Sequence, residues 1–247
     1  LSSLDSVIDK TQAIIDQTQF LKKGLMQELF TRGIPARHKK FKKTEIGEIP
    51  EEWEAIKLRQ VVDINPEQLG AETEEDLPIK YLDISGIHKT GFIGETKDYI
   101  FKNAPSRARR RVKQGDIIIS TVRPYLRAFA LLRACPKNLI VSTGFAVLRP
   151  KKFVDAEFIY QHILHDRFMQ FLLPQMMGSN YPAVRAGEVV NYKIGYSNIE
   201  KERDLIASLL LKIDQRLILE DEVLVEWQNF KSTLMQVLLT GEVRVKT

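Results

Sequence analysis

One helical ending occurs twice in this chain, once near each end. Leu25 to Gly33 reads LMQELFTRG and Leu234 to Gly241 reads LMQVLLTG, so Leu-Met-Gln-x-Leu-x-Thr recurs intact. Upstream of each copy, in the same order, lies a segment closing on Ile-Asp: Leu4 to Asp9 (LDSVID) and Leu209 to Asp214 (LLLKID). A repeat whose copies are separated by a long unrelated insert implies two matching docking helices that bracket one domain.

The periodicity indicates what these helices do. Leu1, Leu4, Ile8, Ile15, Leu25 and Leu29 follow a three–four spacing interrupted by Thr11, Thr18 and Lys22. Leu209, Ile213, Val223, Trp227, Phe230, Leu234 and Leu238 form a similar stripe. This is the seam of helix pairing, which polar interruptions weaken while helping to set register. A helix of ~30 residues is ~45 Å long, more than a small domain needs for its own core. On periodicity alone, two helices packed on a globular body are equally open. The duplicated ends favour a spacer that docks something in two equivalent places, through Leu25, Met26 and Leu29 in one copy and Leu234, Met235 and Leu238 in the other.

At 247 residues and 44% hydrophobic content, the chain can bury one good core and carry an extended appendage. The single Cys135 rules out an internal disulfide and fits a reducing compartment. No apolar run approaches the ~20 residues that cross a bilayer, and no signal-peptide pattern opens the sequence. The expectation is a soluble, cytoplasmic protein without a membrane partner. Its first residue is Leu and not Met, which leaves open both a piece of a longer protein and a natural short form.

The net charge of +5 is modest but unevenly spread. Acids dominate from Thr44 to Asp76. From Lys102 to Arg133 the balance reverses: Lys102, Arg107, Arg109, Arg110, Arg111, Lys113, Arg123, Arg127 and Arg133 face the lone Asp116. Guanidinium groups are planar donor forks suited to phosphates and guanine edges. A solvated charged loop is the plain alternative, but strand-like segments between these arginines would hold them on a rigid platform.

Between the helices the pattern predicts one compact domain. Gly33 and Pro35 end the first helix in the basic stretch Arg32 to Lys43. Strands are predicted at Val61 to Ile64, Ile79 to Ile84, Ile117 to Val122, Ala128 to Leu132 and Leu139 to Leu148, and again at Val189 to Ile194. Asp155 is placed to cap a helix running to Leu172. The mix is α+β, and without an alternating βαβ series a doubly wound fold is not expected.

The sequence carries no strong catalytic motif. The sequence lacks G-x-G-x-x-G and G-x-x-x-x-G-K-[ST], and Asn65-Pro66 is followed by Glu67 instead of the Pro and aromatic of an amino-methyltransferase. His162 and His165 have no metal-binding companions at the required spacing. Asp116 after Gly115 mimics one acid of a nuclease centre but lacks the matching Glu-x-Lys. The residues read as a chain that binds without catalysing. A stand-alone nuclease and a DNA- or RNA-binding scaffold without sequence preference are the competing classes.

Phe41 to Val61 (FKKTEIGEIPEEWEAIKLRQV) resembles the opening of a target-recognition domain in specificity subunits of type I restriction–modification enzymes, matching it at Lys43, Thr44, Glu45, Ile46, Gly47, Ile49, Pro50 and Trp53. Gly115 to Ser120 (GDIIIS), with Arg123 downstream, looks like that family's glycine–aspartate strand. Asn198 to Ile213 (NIEKERDLIASLLLKI) is similar to its spacer-helix entry, with Asn198 in place of Pro and Arg203 in place of Gln. Lys23 to Gly33 resembles the spacer-helix exit.

The resemblance implies one mixed α/β target-recognition domain (residues 34–199) flanked by two long spacer helices (1–33 and 200–247) in a coiled-coil-like antiparallel pair. It implies sequence-specific binding of double-stranded DNA, one half of a bipartite target, with the helices docking DNA adenine methylase subunits and a restriction subunit joining them. A second copy, or the other half of a specificity subunit, would complete the assembly. No cofactor is expected on this chain; S-adenosylmethionine, ATP and magnesium would belong to the partner subunits. Phosphate contacts set register and base-edge contacts set sequence. Arg107, Arg109, Arg110, Arg111 and Lys113 are therefore assigned mainly to phosphates. Arg123, Tyr125 and Arg127, with Ser179, Asn180, Tyr181 and Arg185 in the loop Gly178 to Gly187, are the candidates for base edges.

Overall fold

The computed structural model describes residues 1–87, 90–178 and 181–240. By contacts the chain divides into one unit of residues 1–29 with 208–247 and another of residues 30–207.

In the first unit, helix α1 (Ser2–Arg32) lies antiparallel to the C-terminal helix (Glu200–Leu239). Two ion pairs report the direction. Lys22 pairs with Asp214 at 2.5 Å and Asp5 with Lys231 at 2.5 Å, so a step of 17 residues back along one helix is a step of 17 forward along the other. The expected antiparallel pair is thus present. Lys22, one of the polar interruptions of the seam, is a rung between the helices. Thr11 is satisfied within its own helix, donating to the Val7 carbonyl at 2.9 Å. Gly33 ends α1 at φ +71°, where a side chain would be strained and a Cβ would meet the His38 ring at 2.8 Å.

The second unit is mostly sheet. A hairpin, β1 (Phe41–Thr44) and β2 (Gly47–Pro50), precedes β3 (Trp53–Lys57) and β4 (Val62–Ile64). Next come β5 (Pro78–Leu82), β6 (Lys97–Ile100), β7 (Ala108–Arg111), β8 (Ile117–Ser120), β9 (Phe129–Leu131), β10 (Leu139–Ser142) and β11 (Phe145–Pro150). Helices α2 (Ala156–Leu164), α3 (Asp166–Leu172) and the single turn α4 (Ala186–Val189) follow, then β12 (Lys193–Ser197) and the long C-terminal helix, α5.

Two four-stranded sheets, ordered β6-β5-β10-β7 and β4-β11-β8-β9, carry the core; β12 pairs with β3 separately. Every pairing is antiparallel except β10 with β5. Leu82, Val141, Ile118, Ala130, Phe145 and Val147 meet in one buried cluster, so side chains from both sheets share a core. Ile117 and Ile119 on the other face of β8 are also fully buried. That explains its unbroken aliphatic run, since a strand covered on both faces need not alternate.

Four sequence expectations are corrected. The strand expected from Leu139 to Leu148 is two, β10 and β11, interrupted at Thr143 and Gly144 and belonging to different sheets. The single helix from Asp155 to Leu172 is two, broken at His165, whose backbone is extended and whose Nδ1 accepts the Arg167 N–H at 3.2 Å as the cap of α3. Asp155 caps nothing with its side chain; its carboxylate binds Arg203 and Tyr196. The strand expected at Val189 to Ile194 begins only at Lys193, because Val189 closes α4 and the register aligns Lys193 with Lys57.

Candidate nucleic-acid interface

The two segments proposed to reach base edges are far apart in sequence and adjacent in the fold. Between β8 and β9, Pro124–Leu126 makes one turn of tight helix flanked by Arg123 (φ +47°) and Arg127 (φ +52°), both left-handed. The Arg123 N–H donates to the Pro182 carbonyl at 2.8 Å, and the Val184 N–H donates to the Thr121 carbonyl at 2.9 Å. The Arg123 guanidinium lies over the Tyr181 ring, 4.8 Å from its centroid, a favourable cation–π arrangement. Arg185, the next residue after Val184, is exposed. Ser179 and Asn180 lie outside the described residues.

The same network reaches the arginine-rich strand. Thr121 donates through both its N–H (2.9 Å) and its hydroxyl (2.8 Å) to the Gly144 carbonyl. Beside it, the Thr143 N–H donates to the Arg107 carbonyl at 2.8 Å. Arg107, at the entry to β7, therefore stands next to the loop pair. Arg111 is four residues on, about 13 Å away at strand rise; its N–H meets the Glu67 carbonyl at 3.1 Å.

The run differs in availability as well as place. Arg107, Arg111 and Lys113 are exposed. Arg109 is half-buried, folded over the Phe101 ring at 4.8 Å and donating to the Ala108 carbonyl. Arg110 is also half-buried; burial lowers its pKa, and its Nε has no hydrogen-bond partner among the described residues.

Arg127 has an internal task. Its guanidinium donates to the Leu164 carbonyl at 3.1 Å and to the Asp166 carboxylate at 2.5 Å, tying the loop to the α2–α3 break. Sequence reasoning missed Asp166, because nothing in its spacing links it to a residue 39 positions earlier. Tyr125 is exposed, as is its neighbour Leu126, which the sequence reading passed over.

Asp116 is fully buried and held on both oxygens by Arg149, at 2.8 Å each, while accepting the Lys113 N–H. The Asp116 and Glu67 carboxylates raise the Arg149 pKa, and Arg149 in turn holds Glu67 below its ordinary value. The acid that mimicked a nuclease ligand is an ion-pair partner. No group of three or more His, Cys, Asp or Glu side chains among the described residues is arranged to hold a metal ion, and no described helix is long and apolar enough to cross a membrane. His162 is buried, stacked on Phe30 at 3.7 Å.

A second network, also unseen in the sequence, surrounds the start of α5. Glu202 is buried and accepts from Trp53 Nε1 (3.1 Å) and the Ser197 hydroxyl (2.7 Å), and pairs with His38 Nε2 (2.6 Å). Burial pushes its carboxyl up, but the hydrogen bonds from Ser197, His38 and Trp53 outweigh that and hold its pKa below the usual value. On the helices the duplicated motifs differ in setting. Met26 and Leu29 are buried and Leu25 is half-buried; Leu234 and Leu238 are half-buried, and Met235 is 40% exposed.

The family model of the type I restriction modification DNA specificity domain matches residues 50–226. The chain belongs to this family. As a specificity-domain chain it is similar to the type I restriction enzyme MjaVIII specificity subunit of Methanocaldococcus jannaschii, with 30% identity over all of this chain and 59% of that protein. It is similar to the HsdS subunit of Thermoanaerobacter tengcongensis, with TM-score 0.61 and 29% identity over 80% of this chain and 52% of that one. A chain from a structure on complex assembly and conformational transition of the type I R-M system matches at TM-score 0.64 and 29% identity, with the same coverage. The specificity-domain chain thus spans about half the length of the relatives it matches.

Proposed function

We propose that this chain is the DNA-recognition part of a cytoplasmic type I restriction–modification assembly, reading one half of a bipartite duplex target. The carrying observation is the convergence of residues 121–127 with 181–185 through main-chain hydrogen bonds, which sets Arg123 over Tyr181 on paired loops that also carry the exposed Tyr125 and Arg185. Exposed Arg111 and Lys113, farther along, suit phosphates. Base edges are read by side chains on a fixed backbone, and these loops are tied to β8, β11 and α3.

The paired helices would dock DNA adenine methylase subunits through Leu234, Met235 and Leu238, which present apolar surface, and around Leu25, Met26 and Leu29, of which only Leu25 is partly open. A restriction subunit and a second copy, or the other half of a specificity subunit, would complete the complex. In this reading the chain performs no catalysis, and S-adenosylmethionine, ATP and magnesium are held by its partners. The capture of Asp116 by Arg149 supports that division.

The test is selection of bound sequences from a randomised duplex by the chain together with an adenine methylase encoded beside it. Enrichment of one short half-site is expected. Equal recovery of unrelated duplexes would replace this reading with a scaffold lacking sequence preference.

A further inference from the structure

Tyr125 and Leu126 form the outer turn of the Arg123–Arg127 loop, and they are 45% and 65% exposed. Large apolar side chains in water at a loop tip add nothing to the core. Their backbone setting is unfavourable as well, since both flanking arginines occupy the left-handed region that L residues avoid. Yet the loop is fastened at several points. The Leu126 N–H donates to Arg123 (3.0 Å), the Arg127 N–H to Pro124 (2.8 Å), and the Thr90 hydroxyl to the Arg127 carbonyl (2.8 Å). Pro124 is buried, and the Arg127 side chain is clamped by Leu164 and Asp166. Strain held this firmly at a surface is characteristic of a functional tip. The surroundings are cationic and aromatic: Arg123 stacks on Tyr181, which is 70% exposed.

We propose that the Tyr125–Leu126 tip is a wedge that enters one base-pair step of the bound duplex and partly unstacks it. This rests on the DNA-reading function proposed above. Apolar wedges of this kind insert between base steps and kink the helix. Pyrimidine–purine steps unstack most easily. The wedge would therefore add a preference for such a step at a position that no arginine contacts.

The experiment uses the full chain with its methylase partner and the duplex selected by the parent, with 2-aminopurine replacing each adenine in turn. Apart from the adenine that the docked methylase flips out of the stack, binding should raise fluorescence several-fold at one step only, and the selected sequences should carry a pyrimidine–purine step there. Leu126→Ala and Tyr125→Ala should return that signal to the free-duplex level and relax the step preference, with thermal midpoint and salt slope unchanged. Leu126→Phe should keep the signal. If the duplex is bound and selected but no position other than the methylase's flipped adenine brightens, the wedge is wrong and the reading function stands. Loss of methylase co-purification in the Ala variants, with fluorescence unchanged, would make the tip a protein contact and overturn the wedge. If the parent selects no sequence, both proposals fall.

Discussion

Arg203 is the most informative single residue to perturb. Its Nε donates to Asp155 at 2.7 Å and its Nη1 to the Ser197 carbonyl at 2.7 Å, and both side chains of the ion pair are 2% exposed. Arg203→Met would leave the Asp155 carboxylate buried with the Tyr196 hydroxyl, at 2.8 Å, as its main remaining donor. Breaking a buried pair from one side costs about 3–5 kcal/mol, because the surviving charge stays desolvated. With a urea slope of about 2 kcal/mol per molar, the midpoint should fall by about 2 M. Trp53, fully buried in the same unit, is the reporter, in a Trp227→Phe background that removes the other tryptophan. Adding Asp155→Asn to Arg203→Met should restore at least half of the lost stability, since no uncompensated charge then remains. A midpoint for Arg203→Met within about 0.3 M of the parent's would refute the argument, because the expected shift is several times larger. So would a double variant no better than the single one.

Three further outcomes are expected. Burial, followed by the His165 and Arg167 charges, depresses the pKa of His162, so its contribution is present above pH 6.5 and lost as pH falls below it, by up to about 1.4 kcal/mol per unit; urea midpoints of His162→Gln should lose that acid dependence. Glu202, with a lowered pKa, stabilises above about pH 4.5 and ceases to as pH falls through its folded value; Glu202→Gln should flatten unfolding curves there. Among the arginines, Arg107→Ala, Arg111→Ala and Lys113→Ala should each reduce the salt slope by up to about 0.9 without changing the selected sequence. Arg185→Ala should relax one base position by about 1–3 kcal/mol, whereas Arg127→Ala should chiefly loosen the loop and lower the thermal midpoint.

The helices, the central strands and the family were legible in the sequence because each rests on local pattern. Ile117 to Ser120 is an apolar run bounded by Gly115, and the Leu-Met-Gln repeat needs no partner to be seen. Long-range pairing left no such trace. Nothing local distinguishes Arg127, clamped by Asp166, from Arg123, stacked on Tyr181. The cap role of His165 was hidden for another reason: its Nδ1 does what Ser or Asp normally does at a helix start. Lys42 and Lys43 in β1 resemble loop residues by composition, and only pairing with Glu48 and Ile49 reveals the hairpin.

The two ion-pair rungs also constrain how the chain can change in length. Asp5 and Lys22 face Lys231 and Asp214, so one extra turn inserted between Asp5 and Lys22 alone would carry one partner out of reach. The mismatch disappears if the other helix gains a turn between Asp214 and Lys231. Those compensating insertions lie in stretches whose rung residues are 192 positions apart. Variation in spacer length is therefore expected to arrive in matched pairs, one near each end of the chain, with the intervening domain free to diverge between them.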